Sequence, residues 1–206
     1  AAAFIIINPD VIVPDDLSLF SLIKWSPLDL LIPIVIIQRI AELRLAKRNE
    51  RALLKEGAVE VGANHYGAIV ALHTLWFIGM IVEIVILSRP INPFWPVLLL
   101  VVILAQWLRY SAIRSLGRFW NTKILVLPGA RVVARGPYRF LKHPNYIAVM
   151  IELLVLPLIF SCYVTAITAS ILNVAILVIR IRAEERALRE FGKGYDKVGK
   201  ISVGGK

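Results

Sequence analysis

A succession of apolar runs, each bounded by basic residues, most constrains what this chain can fold into. The clearest runs from about Gly67 to Leu87, with Glu83 near its far end. Another covers about Phe94 to Tyr110 and closes on Gln106 and Arg109. A helix needs roughly 20 predominantly apolar residues to cross hydrocarbon about 30 Å thick. Within hydrocarbon the backbone polar groups of such a run must be satisfied internally, so the runs predict helices. Composition agrees: 58% of the 206 residues are hydrophobic and the mean hydropathy is +0.74. The expected class is an all-α, polytopic membrane protein rather than a soluble domain.

The net charge of +10 raises the question of nucleic acid. The basic residues, however, sit between apolar segments, which fits the positive-inside pattern and no nucleic-acid face. A single cysteine, Cys162, excludes an intrachain disulfide framework and a paired-cysteine zinc site. Pro9, Asp10, Pro14, Asp15 and Asp16 interrupt the first apolar stretch, so no cleavable signal peptide is expected.

Residues 1–26 read as an interfacial segment, with Trp25 a candidate headgroup anchor, and residues 27–206 as the membrane domain. Ser26-Pro27 looks like a helix cap, and the first span is expected to end near Leu45. Arg39 and Glu42 share a helix face there, as an ion pair or as the wall of a polar site. Residues 44–60 form a charged connector. His65 and His73 flank the second span and read as packing residues. Asn92-Pro93 is the expected start of the third span. After a long polar region, residues 111–145, two short apolar segments follow: Ile147–Phe160, with Pro157 inside, and Val164–Ile179. They predict a tight helical hairpin, and the count of spans comes to about five. Loop charges put the C-terminus in the cytosol and the N-terminus outside.

Two polar constellations meet that hairpin. Residues 135–146 (RGPYRFLKHPNY) hold Arg135, Arg139, Lys142, His143 and two tyrosines. Gly136-Pro137 and His143-Pro144 are turn or helix-start signals that would fix Tyr138, His143 and Tyr146 in space. An anchor on lipid phosphates is the plain alternative. In the tail, Arg180 and Glu184 are four apart on one helix face. Alone they read as a surface pair of a few tenths of a kcal/mol. Arriving at the same membrane face as His143–Tyr146, they point to a shared site.

Gly136-Pro-Tyr-Arg, Lys142-His-Pro-Asn-Tyr146, Arg180-x-x-x-Glu184-Glu185 and Leu116-Gly-x-Phe-Trp120 resemble motifs of the isoprenylcysteine carboxyl methyltransferase family. The Arg39–Glu42, Arg48-Asn49, Glu60 and His65-Tyr66 pattern is similar to its prokaryotic branch. The resemblance covers about Pro27 to Val198. It implies S-adenosylmethionine (SAM) as cofactor, with S-adenosylhomocysteine as product, and methyl transfer onto a lipophilic substrate from a cytosolic cofactor site. Tyr138, His143, Pro144, Asn145 and Tyr146 resemble the cofactor loop, and Val132 and Val133 fall where backbone groups touch the cofactor. Glu184 matches the acidic residue that holds it. Arg180 matches the arginine that meets the substrate's carboxylate, and is the expected catalytic group. Ala148 replaces a glycine usual in the eukaryotic enzymes. Glu152 is an additional intramembrane carboxylate, expected to contact substrate or to serve as a base.

The residue chemistry is consistent with that resemblance. Aromatic faces and a carboxylate suit a cationic sulfonium. No G-x-G-x-x-G follows a strand, which disfavours a Rossmann-type methyltransferase. The expected partners are a lipophilic acid or acidic hydroxyl (isoprenoid, prenylcysteine-like or polyketide) and the bilayer, with no nucleic acid; the oligomeric state stays open. Two alternatives stand beside this one: transfer to a phospholipid amine or a thiol, and a non-catalytic scaffold or transporter.

Overall fold

A computed structural model describes residues 27–62 and 66–192. The expected interfacial segment, its anchor Trp25, Ser26 and His65 lie outside the described residues. The described residues divide into two compact units, one ending at Glu42 and the other beginning at Leu43. In the first, a 3-10 turn over Pro27–Leu30 leads into α1 (Leu31–Lys55), which ends in the second unit. Arg39 meets Glu42 at 2.6 Å and Gln38 donates to the same carboxylate at 2.9 Å, so the expected i,i+3 ion pair is present. The expected first span and the charged connector are one continuous helix. Nothing in residues 38–55 breaks it, because Arg, Glu, Lys, Leu and Ala are all strong helix formers.

The second unit adds α2 (Tyr66–Ile86), α3 (Trp95–Leu116), α4 (Pro144–Ile159) and α5 (Tyr163–Phe191). Two three-residue strands join them: β1 (Val59–Val61) pairs antiparallel with β2 (Ile124–Val126) in the register Val59↔Val126, Glu60↔Leu125, Val61↔Ile124. These strands fall in stretches read from sequence as a connector and a loop. Each is too short for an alternating pattern to be seen.

The fold is helical as expected, but among the described residues three helices, not about five, are long and apolar enough to cross a membrane. Those are α2, α3 with the turn that follows it, and α5. The charges after Ile37 remove α1 from that set, and α4 is only 16 residues long. α5 is far longer than the apolar segment Val164–Ile179 because its helix continues through the charged tail to Phe191. α3 likewise extends to Leu116. It begins at Trp95 rather than at Asn92, whose side chain accepts the Phe94 N–H at 2.9 Å and shapes the preceding turn.

Helix packing here relies on close approach rather than on bulk hydrophobicity, because lipid tails are as apolar as the core. Small residues mark the contacts: Ala105 and Ala112 on α3, Ala148 on α4, and Ala166 and Ala169 on α5 are all buried. Gly79 on α2 lies so near α5 that an added Cβ would sit 2.7 Å from Thr165 Oγ1. Leu153, Leu156 and Ile159 fill the interior from α4, while Leu75, Leu100, Trp107, Ile167 and Ile171 point outward. The hairpin between α4 and α5 turns at Ser161, whose φ of 53° is left-handed. At that end Glu83 is buried, and its Oε1 accepts the Thr165 backbone N–H at 2.6 Å. An acidic side chain from α2 thus satisfies an amide at the start of α5, where the helix has no partner of its own. His73 is half-buried, with Nδ1 2.9 Å from the Ile69 carbonyl oxygen.

Candidate active site

The other end of the hairpin brings the two polar constellations together. Pro144 is the first residue of α4 and fully buried, and His143 precedes it in a non-helical conformation (φ −130°, ψ 61°). Proline at that position needs no N–H partner, so the turn can sit inside the protein. Upstream, Gly136 has φ 57°, and a Cβ there would lie 2.1 Å from Ser115 Oγ. Only glycine lets the loop approach α3 this closely. Arg135 Nε donates to the Ser115 carbonyl at 2.9 Å and secures the same approach.

Tyr146, one turn into α4, is the hub. Its hydroxyl accepts from Arg180 Nε at 2.8 Å and donates to Glu184 Oε2 in a short bond. Its ring stacks on His143, with centroids 5.2 Å apart and an interplanar angle of 11°. His143 Nδ1 is 3.7 Å from Glu184 Oε2, and Nε2 is 3.3 Å from Glu185 Oε1. Arg180 and Glu184, read from sequence as direct i,i+4 neighbours, are therefore joined through the Tyr146 hydroxyl. Arg180 is buried and its Nη2 donates to the Thr122 backbone oxygen. No hydrogen bond among the described residues uses its Nη1.

The remaining sequence-derived residues take graded positions. Tyr138 is buried, and burial, then the Glu184 carboxylate, raises its phenol well above the ordinary range. It stays a neutral hydroxyl and is no base. Asn145 places a buried Oδ1 with no hydrogen-bond partner among the described residues. Val132 and Val133 are half-buried on the loop after β2. Gly129 N–H donates to the Phe191 carbonyl at 2.9 Å, and Val132 Cγ2 would lie 3.0 Å from a Cβ on Gly192, so this loop is held to the end of α5. Glu152 stands apart: it is buried six residues along α4 from Tyr146, with its Oε2 3.5 Å from Arg109 Nη1. Arg109 balances that carboxylate, which is how an intramembrane charge is tolerated.

Sequence reasoning missed the Thr122 carbonyl. A backbone acceptor has no residue-type signature. It also left Glu185 out of the site, although the Glu184-Glu185 pair was visible. The assembled group offers carboxylates, a stacked aromatic pair and a buried amide oxygen lacking a donor. That is an acceptor-rich donor set, matched to a cationic ligand that carries N–H groups of its own.

The isoprenylcysteine carboxyl methyltransferase (ICMT) family matches over residues 97–190. A Bacillus subtilis (strain 168) protein, "Uncharacterized protein YpbQ", is 44% identical over 162 residues, covering 79% of this chain and 96% of the relative. An "Uncharacterized protein" of Haemophilus influenzae is 27% identical over 151 residues, covering 73% of this chain and 88% of the relative. No solved structure matches the chain.

Proposed function

Because the chain belongs to the isoprenylcysteine carboxyl methyltransferase family, a family of membrane methyltransferases, we propose that it is a SAM-dependent O-methyltransferase. Its acceptor is a carboxylate or acidic hydroxyl on a lipophilic molecule, reached at the membrane–cytosol interface. One observation carries the reading most: a single connected group, Arg180–Tyr146–Glu184–His143–Glu185, built where α4 and α5 leave the apolar bundle.

SAM, when bound, supplies an electrophilic methyl group on a sulfonium. Glu184 and the faces of His143 and Tyr146 would hold it, with Tyr138, Asn145 and the backbone at Val132 and Val133 completing the cradle. Asn145 Oδ1 is the acceptor of this group left without a hydrogen-bond partner among the described residues, and a ligand N–H would satisfy it. Arg180 orients the acceptor's anionic oxygen through the edge of the guanidinium not used by Tyr146 and Thr122. Its charge also favours the ionised acceptor, so no strong base is required. Burial of Arg180 shields the acceptor-facing edge from water, and the α4–α5 hairpin fixes the alignment that transfer needs. Glu152 stays a proposed acceptor contact, its carboxylate held by Arg109.

Arg180 argues against a phospholipid amine, which would bring a second positive charge to it. A transporter is expected to carry its polar site near the midplane, whereas this group sits at one end of the helices. Mass spectrometry of membrane lipid extracts incubated with purified protein and methyl-labelled SAM tests the function. A labelled lipophilic ester or enol ether is expected; label on an amine, or none at all, overturns it. A reporter fused after Lys206 tests the cytosolic placement, and an external C-terminus would defeat it.

A further inference from the structure

The buried guanidinium of Arg180 leans on a single backbone oxygen, that of Thr122, and the structure shows what holds that oxygen still. Asn121 Oδ1 accepts the Lys123 N–H at 3.1 Å, closing an Asx turn around Thr122. Asn121 Nδ2 donates to the Ala46 carbonyl at 3.4 Å. Asn49 Nδ2 donates to the Trp120 carbonyl at 2.8 Å and to the Gly117 carbonyl at 3.2 Å. Lys123 Nζ then bridges Glu50 and Glu60, at 3.1 Å each. The α1 groups that hold the loop come from Ala46, Asn49 and Glu50, all buried on one face of the helix with Leu53. The opposite face of the same turns carries Arg44, Arg48, Arg51 and Lys55, all exposed.

We infer that Asn49 is a positioning residue for Arg180, acting through the 120–123 loop. The Asn49 amide donates to the Gly117 carbonyl of the 3-10 turn Gly117–Phe119 that leads into the loop, and to the Trp120 carbonyl at the start of the loop itself; both bonds cross some 70 residues of chain, the second to a segment without regular structure. Such a loop has no ladder of its own to orient its carbonyls. With the Thr122 oxygen fixed, Nη2 of Arg180 is fixed, and the direction of Nη1 follows because the guanidinium is rigid and planar. α1 thereby sets the aim of the acceptor-facing edge without touching cofactor or acceptor. This inference rests on the proposed role of Arg180 for its catalytic consequence, but not for its geometry.

The test separates the two. In nanodiscs without cofactor or acceptor, the side-chain Nη2–H signal of Arg180, whose partner is the Thr122 oxygen, can be assigned in nitrogen NMR by its loss in Arg180→Lys. In the native protein it is expected to be shifted and slow to exchange. Asn49→Ala should move it towards the signal of a free arginine, and Asn49→Gln, which keeps the amide, should restore it in part. Asn121→Ala opens the Asx turn without emptying the buried α1 face, so it serves should Asn49→Ala fail to fold. An Arg180 signal unmoved in the folded variants overturns the inference, whatever the protein methylates. Given a methyl acceptor, Asn49→Ala should lower kcat/KM by about 10- to 100-fold, the cost of misplacement by about an ångström, with SAM affinity unchanged. In an Arg180→Ala background the same substitution should have no further effect; an equal loss there also overturns it. Failure of the native protein to methylate anything would defeat the proposed function and leave the NMR result standing.

Discussion

Removing one oxygen atom from Tyr146 probes the site most directly. Tyr146→Phe keeps the ring, and so the stack on His143, but deletes the hydroxyl that joins Arg180 to Glu184. The two charged partners are affected unequally. The Glu184 side chain is 28% exposed and retains His143 at 3.7 Å, so water replaces most of what it loses. Arg180 is only 7% exposed, and its Nε is left facing a phenyl edge. A hydrogen bond to a charged group is worth about 1.5–3 kcal/mol, which therefore falls mainly on Arg180. If that loss is felt fully in the transition state, kcat/KM drops by about 10- to 150-fold, at 1.36 kcal/mol per decade. The assay is methyl transfer to the acceptor, alongside SAM titration calorimetry of the same preparation. The expected outcome is a large fall in rate with SAM affinity largely kept, because the aromatic faces remain. Full activity in Tyr146→Phe would falsify the bridging role. A fall in SAM affinity matching the fall in rate would move the hydroxyl from aligning Arg180 to holding the cofactor.

Further outcomes are specific to single groups. Arg180→Ala should reduce kcat/KM by roughly 30- to 1000-fold, about 2–4 kcal/mol, with SAM binding near native by calorimetry, and Arg180→Lys should recover only part. At the far end of α5, where Thr165 is roughly 22 Å from Arg180 along the helix, Glu83→Leu on α2 should lower stability by about 1–3 kcal/mol, read by thermal melting in detergent, because the Thr165 N–H loses its acceptor. Glu83→Gln should restore most of that, and neither should change SAM affinity at a temperature where the protein is folded. The loop strap should respond to acid. Burial raises the Glu50 carboxyl, but Lys123 and Lys47 outweigh it and hold it below the ordinary carboxylate range. Its contribution is thus present above the unfolded-state value and lost as pH falls through the lower folded one. Lys123, raised by Glu60 and then Glu50, keeps its charge until the pH climbs above the usual lysine range. Hydrogen exchange of residues 117–126 should therefore quicken in strong acid, once corrected for intrinsic rates, and stay flat between pH 6 and about 9.

Much of this protein could be read from the order of its residues. Apolar runs are local properties, and the bilayer leaves helices as the economical way to satisfy their backbones, so α2 and α4 were legible to within a few residues, as were the starts of α3 and α5, while the C-terminal ends of those two run on through charged residues. The site's chemical members were legible too, because His143-Pro144-Asn145-Tyr146 and Arg180-x-x-x-Glu184 are compact patterns of unusual composition for such a chain. The arrangement of those members was not. Helical spacing alone suggested that Arg180 pairs directly with Glu184. Only the packing of α4 on α5 inserts the Tyr146 hydroxyl between them. Of the about five spans read from sequence, three fall on described helices long and apolar enough to cross a membrane, and the helix begun at Leu31 continues unbroken into a charged segment. The two strands, the Glu83 contact with Thr165 and the Asn49 strap on the Thr122 loop join residues tens of positions apart. A pairing over that distance leaves no periodicity in the sequence. It exists only once the helices have packed and the unmatched carbonyls and amides between them have found one another.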